Sequence, residues 1–211
     1  MTSEPRLLDG IRVIDAASFI AGPVATTAMA DFGADVIKVE PPGGDTYRVR
    51  NAGYPPSPYN FPWIVDNRNK RGVAIDLRHE DGRRVLHRLV RTADVFVTNV
   101  PLDGRARLGV RWEDLAPLNP RLIYGSITAY GETGEEASRP GFDSTALWAR
   151  TGLMDLVRPR RTRRPRARCR AWATIPPACR SSARSWPRST SASGRAGAPW
   201  CRRRCSPTGS G

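Results

Sequence analysis

Residues Leu8–Asp45, LDGIRVIDAASFIAGPVATTAMADFGADVIKVEPPGGD, decide the reading of this chain. An apolar run (Ile11, Val13, Ile14) ending at Asp15 reads as a buried strand. Gly22 and Pro23 stop the chain and restart it, with Pro23 at the first helical position, where a missing N–H costs nothing. Ala25, Ala28, Met29 and Phe32 then form a small-residue helix that Gly33 ends. A second strand, Val36–Val39, closes at Glu40 before a Pro-Pro-Gly-Gly turn. A strand–helix–strand unit of this kind seeds a parallel sheet.

The following segments extend the pattern. Gly72–Asp76 reads as a third strand, and His79–Ala93 as an amphipathic helix with Val85, Leu86, Leu89 and Val90 on one face. Asp94–Thr98 is a fourth strand ending at Asn99. Trp112–Leu118 is a short helix with Glu113 and Asp114 in its first turn. Arg121–Tyr130 reads as a fifth strand, and Asp143–Leu153 as a helix N-capped near Asp143. Strands alternating with helices predict an α/β fold with a doubly wound parallel sheet, in which ligands lie at the carboxyl ends of the strands. Tyr47–Trp63, rich in aromatics and proline, reads equally well as a site border or as a surface loop packed by its own rings.

Composition divides the chain. The whole carries a formal charge of +14 over 211 residues, which alone suggests a partner of opposite charge. Residues 1–157 hold 19 Lys+Arg and all 20 Asp+Glu, a net charge of −1. Residues 158–211 hold 15 Arg, no Lys, no acid, and Ile175 as their one branched aliphatic residue. Such a tail cannot bury enough apolar surface to offset an ordering cost of about 1–2 kcal/mol per residue, so it reads as disordered. The domains expected are therefore 1–157, part of a large α/β domain, and 158–211, an Arg/Pro/Ser-rich tail. Cys169, Cys179, Cys201 and Cys205 all lie in that tail, without histidine partners or zinc-like spacing, so no metal site is expected. No apolar run approaches the ~20 residues of a membrane helix and no signal pattern opens the chain, which predicts a cytoplasmic protein without membrane contact. No phosphate-loop or dinucleotide fingerprint occurs.

The strand ends carry Ala21-Gly22-Pro23, Glu40, Asp76 to Arg78, Asn99 and Tyr130. Arg78, Arg105, Arg107 and the run Asn67-Arg-Asn-Lys-Arg71 offer cations for a phosphorylated ligand. The helix that begins near Pro23 offers free N–H groups to an anion. Taken singly, each arginine reads first as a solvated surface charge.

The wording of DGIRVIDAASFIAGPVATTAMADFGADVIKVEPPGGD, NRNKRGVAIDLRHEDGRRVLHRLVRTADVFVTNV, LGVRWEDLAPLNPRLIYGSITAYGETG and RPGFDSTALWARTGLM resembles the family III coenzyme A transferases. That family also contains the α-methylacyl-CoA racemases. The resemblance runs in order over residues 7–154. It implies a Rossmann-like large domain, coenzyme A or acyl-CoA as substrate without a permanently bound cofactor, a carboxylic acid as acceptor, and an interlocked homodimer that this chain lacks the segments to make. By matching positions it implies CoA binding at Ile20 and Ala21, at Ile75 to Arg78, at Asn99 and Val100, and at Arg107. Asp143 is implied as a residue lining the site, with a helix cap as its alternative role. Ile20 stands where the family often has glutamine, and Phe142 where the racemases carry a histidine base, which favours the transferase branch.

The mechanism implied is covalent: an aspartate attacks the thioester, CoA thiolate leaves and returns, and the acceptor carboxylate takes the CoA. The interval where that aspartate is expected, RPRRTRRPRARCRAWATIPPA, contains no acid, so no catalytic residue is assigned and the chain is expected to be inactive as written. An acid-free, arginine-rich tail is what GC-rich DNA gives out of frame. Read one base earlier, permissive codons around Trp172 and Ala173 yield the Gly-Asp pair of the family, with the slip between Val157 and Arg161. Two other functions fit the residues: a CoA-binding remnant without chemistry, or a tail-driven binder of nucleic acid or another anionic polymer, with salt-sensitive affinity.

Overall fold

The computed structural model describes residues 5–49 and 59–157. The tail, its cysteines and most of the aromatic loop therefore lie outside the described residues. The described chain runs β1 (Arg12–Ala16), α1 (Ala21–Asp31), β2 (Asp35–Glu40), α2 (Thr46–Val49), α3 (Phe61–Asn67), β3 (Arg71–Ala74), α4 (Glu80–Val90), β4 (Val95–Thr98), α5 (Leu102–Leu108), α6 (Trp112–Leu115) and β5 (Ile123–Ser126). A π-helical turn (Asp143–Ala149) and α7 (Leu153–Leu156) follow.

All strand pairs are parallel, in the order β3-β2-β1-β4-β5. Side chains alternate across a strand, so each sheet face collects one register row. Val13 lies beside Val36 and Val95, and with Met29, Ala30 and Leu8 it forms the core under α1. Ile14 lies beside Ile37 and Phe96, and with Leu86, Val90, Val110 and Leu115 it forms the core on the opposite face. Both faces of the central strands are thus covered, which is why they read as near-continuous apolar runs. Each fully buried leucine, valine or phenylalanine contributes about 1.5–3 kcal/mol. Phe96 also stacks on Tyr124 at 5.6 Å between ring centroids.

α1 packs through small residues (Ala25, Thr26, Ala30), which lets its axis approach the sheet. It ends in a Schellman motif: Gly33 N–H donates to Ala30 O and Ala34 N–H to Met29 O, both at 3.0 Å. Gly33 has φ +105°, a conformation glycine adopts without the Cβ penalty.

Several boundaries differ from the sequence reading. α1 starts at Ala21, two residues before Pro23, and its first backbone bond runs from Val24 N–H to Ile20 O. Proline is tolerated anywhere in this turn because its N–H would have no acceptor. β5 pairs only over Ile123–Ser126 and leaves the ladder after Ile127 N–H bonds Thr98 O. Asp143 is the first residue of the π-helical turn, and Phe142 holds the cap position. Its cap bond comes from the helix side: Phe142 N–H donates to Thr145 Oγ1 at 3.0 Å. α3 and α5 have no counterpart in the sequence reading, both being too short for a clear apolar period.

The carboxyl edge of the sheet as candidate functional site

The strand order reverses between β1 and β4, and with every strand parallel all carboxyl ends share one edge. An open α/β sheet binds ligands in the crevice at such a reversal. Asn99 spans it: Oδ1 accepts from Ser18 N–H at 2.8 Å and Nδ2 donates to Ser18 O at 2.7 Å. Thr98 Oγ1 adds a second tie, donating to Ala16 O at 3.2 Å and accepting from Val100 N–H at 3.2 Å.

The turn from β1 into α1 is tight. Phe19 has φ +61°, an uncommon conformation for a non-glycine residue. Gly22 lies so close to the strand that a Cβ there would come within 2.2 Å of the Ala17 Cβ. The N–H groups of Ala21 and Gly22 precede the first helical bond and have no acceptor within the helix, and no acid sits in the first turn. Such a terminus suits an anion or a polarised carbonyl oxygen.

Beneath the turn lies a buried charge cluster that the sequence reading did not identify. Asp15 is fully buried; it accepts from Ala17 N–H (3.1 Å), Thr26 Oγ1 (2.7 Å) and Lys70 Nζ (2.9 Å). Lys38 Nζ lies 3.8 Å from Asp15 and 3.4 Å from Asp45, and donates to Ala17 O. Lys70 Nζ also donates to Pro23 O (2.7 Å), Asp66 O (3.1 Å) and Asn67 Oδ1 (3.1 Å). Burial pushes the Asp15 carboxyl up, but Lys38, Lys70 and the Thr26 hydroxyl outweigh it and hold the group below its ordinary value. Burial drives Lys70 down to about 8, against the pull of Asp15. The signal was present in the sequence: a lysine inside VIKVE, a strand buried on both faces, requires a partner for its charge.

The other predicted site residues lie on the segments that follow the carboxyl ends of the strands. Ile20 and Ala21 open α1 and are half-buried. Ile75 is buried just beyond β3, and Arg78 is exposed three residues later. The Arg78 guanidinium grips Asp76 bidentately, Nε to Oδ1 at 2.9 Å and Nη2 to Oδ2 at 2.7 Å, which holds the Asp76 carboxyl well below its usual range. Val100 O accepts from Arg105 Nε at 2.8 Å. Arg107 stands exposed in the last turn of α5.

Three expectations about cations and acids are corrected. Arg105 is buried, at 3% exposure, and pairs with Glu132 at 3.1 Å, so it is no surface cation. Its spacing from Arg107 on α5 turns the two side chains to opposite faces. Within the run 67–71, Asn67 and Lys70 point inward, while Arg68 pairs with Asp31 and Arg71 with Asp35. Glu40 does not face a ligand: Arg48 holds it bidentately at 2.6 and 2.8 Å, and Asp45 N–H donates to it at 2.9 Å.

The RPGFD segment reaches the edge through an aromatic contact. The Phe142 ring meets Phe19 edge-on at 6.0 Å, and Phe19 meets Tyr47 at 6.1 Å. Asp143, half-buried, therefore follows a residue in contact with the β1–α1 turn. Its role as a site residue rests on that neighbourhood. The position where the sequence reading expects a nucleophilic aspartate lies outside the described residues.

Residues 8–174 match the family model described as CoA-transferase family III. Among curated proteins, the chain is 39% identical over 154 residues to (R)-2-hydroxy-4-methylpentanoate CoA-transferase of Clostridioides difficile, covering 72% of this chain and 39% of that protein. It is 46% identical over 142 residues to succinate–glutarate CoA-transferase of Agrobacterium fabrum, covering 64% and 36%. Among solved structures, Rv3272 from Mycobacterium tuberculosis superposes with a TM-score of 0.73 at 34% identity, over 82% of this chain and 49% of that one. The chain thus spans half or less of the length of these relatives. No helix among the described residues is long and apolar enough to cross a membrane.

Proposed function

This chain belongs to CoA-transferase family III, and on that premise we propose that its carboxyl edge binds the CoA part of an acyl-CoA thioester. The observation that carries the reading is the N-terminus of α1. Its N–H groups at half-buried Ala21 and buried Gly22 have no acceptor within the helix and sit on a rigid turn beside the β1–β4 reversal, with no acid in the first turn. Arg107 stands exposed on a segment that leaves the same edge and supplies a cation for phosphate, and exposed Arg78 does so by exchanging its partner Asp76 for the phosphate. The reaction of the whole protein is transfer of CoA to a carboxylic acid, in keeping with the acids in the names of both curated relatives.

Binding without transfer is the second reading for the 211 residues as they stand, and a specific observation favours it. Asp15, Glu40 and Asp45, three acids at or just beyond strand ends of this edge, are all buried and committed to cations or backbone. The nucleophile then belongs to residues encoded out of frame after Val157. Sequencing the DNA across codons 150–185 tests this. A single-base slip that restores Gly-Asp near codon 173 supports a transferase; an intact frame leaves a binding protein. Calorimetric titration with acetyl-CoA tests the binding itself, with saturable heat expected and its absence refuting the reading.

A further inference from the structure

The β1–α1 turn is held by buried charges to a degree that its fold role alone does not require. Four of its groups are fixed from below: Ala17 N–H by Asp15, Ala17 O by Lys38, the Thr26 hydroxyl by Asp15 and Pro23 O by Lys70. Lys38 comes from β2 and Lys70 from the residue before β3, so three neighbouring segments converge on one turn. Both lysine side chains are essentially without solvent contact, at 2% and 1% exposure. The charges of Asp15, Asp45, Lys38 and Lys70 balance, which is the condition for tolerating such a cluster. A hydrophobic filling would have been as stable or more so, yet would have left the turn's carbonyls unpaired.

We propose that Lys38 and Lys70 are positioning residues that lock the β1–α1 turn in the geometry presenting the Ala21 and Gly22 N–H groups to a CoA thioester, with Lys70 making that geometry sensitive to pH. The proposal rests on the CoA-binding reading above. Lys70 serves four acceptors: Asp15 on β1, Pro23 O on α1, and Asp66 O and Asn67 Oδ1 on α3. The charged groups facing it are Asp15, Lys38 and Asp66. As an ammonium it has three protons to share among them; as an amine it has two and no charge. Loss of the proton therefore loosens Pro23 O, one residue from the free N–H groups.

Stability and affinity respond to this proton in opposite directions. The folded chain releases the Lys70 proton near pH 8, the unfolded chain near 10.5. Between those values the unfolded state binds more protons, so the contribution of Lys70 to stability rises with pH. Affinity falls over the same range, because the turn loses its tether. A residue that acted only on stability would move both the same way.

The test is calorimetric titration of acetyl-CoA, which has no free thiol to titrate, into the 211-residue chain from about pH 6.5 to about pH 9.5. The native chain is expected to lose on the order of tenfold in affinity, with a midpoint near Lys70's own value of about 8. Lys70→Arg, charged throughout, keeps its affinity at the alkaline end; Lys70→Met binds weakly at both ends with no midpoint. Amide exchange of residues 17–24 in the native chain, corrected for the intrinsic pH dependence, is expected to quicken above pH 8 relative to β1. An affinity flat across this range, or a Lys70→Met chain that binds as the native one does, overturns the proposal. Absence of binding by the native chain at every pH overturns the CoA reading instead, and unchanged exchange at residues 17–24 then also removes the tether.

Discussion

The side-chain amide of Asn99 pairs with the peptide of Ser18 in both directions, accepting from its N–H at 2.8 Å and donating to its O at 2.7 Å. Two residues far apart in sequence thereby act as one unit, closing the sheet edge where the strand order reverses. The resemblance implies Asn99 as a CoA-binding residue; the geometry assigns its amide to the backbone.

Asn99→Ala removes both bonds and is expected to cost about 1–2 kcal/mol of stability, since the groups released are partly reachable by water. Asn99→Asp keeps the acceptor but sets a carboxylate against Ser18 O, and is expected to cost more. Urea unfolding curves of the two variants check the order; a smaller cost for Asn99→Asp than for Asn99→Ala would contradict the importance of the donor bond.

Gly22→Ala is expected to destabilise by about 1–3 kcal/mol or more, although alanine favours helices. The added Cβ would lie 2.2 Å from the Ala17 Cβ, inside any tolerated contact. A gain in the thermal midpoint on this substitution would contradict the packing described for the turn.

The Asp15 carboxyl is held below its ordinary value of 3.8 by Lys38, Lys70 and Thr26 despite its burial. The unfolded state therefore takes up its proton first, and the stability this group supplies is present above about pH 4–5 and is lost as pH falls further. Asp15→Asn removes that acid dependence and, leaving two buried lysines with one carboxylate fewer, is expected to cost about 3–5 kcal/mol at neutral pH. Acid titration of stability in the native chain and the variant measures both effects. A native and a variant curve of the same shape below pH 4 would rule out Asp15 as the titrating group.

Arg78→Ala separates binding from folding. The Arg78 side chain is solvent-exposed and its partner Asp76 stays within reach of water, so its loss is expected to shift the unfolding midpoint little. If Arg78 meets phosphate, acetyl-CoA affinity falls and its salt dependence weakens. Unchanged affinity with unchanged salt dependence would remove Arg78 from the site.

Architecture was legible because the sheet announces itself twice, in apolar runs buried on both faces and in Gly22 and Gly33 marking where the chain turns. The strands read from Ile11 to Asp15, over Val36–Val39, Gly72–Asp76 and Asp94–Thr98 match the observed Arg12–Ala16, Asp35–Glu40, Arg71–Ala74 and Val95–Thr98 to within one or two residues at each end. The edges of the fold were less legible. Arg121–Tyr130 has strand composition throughout, yet pairs over four residues because no strand continues beside it. In the site, linear order placed Asn99 at a strand end and the resemblance added Ile20 and Asp143, but neither shows what their side chains do. Lys70 and Arg105 looked solvated inside basic runs and are buried, since only the packed structure shows which face of a short helix or turn is inward. Lys38 was the exception: its charge within a doubly covered strand was a readable sign of the cluster beneath the turn.

The most direct test of the account is saturation of the 211-residue chain with acetyl-CoA, followed by amide exchange along the carboxyl edge. The account predicts saturable binding and slowed exchange at residues 18–24 and 99–101, the two sides of the β1–β4 reversal. Binding without protection there would place the ligand elsewhere, and no binding at all would contradict the claim that this edge is a CoA site.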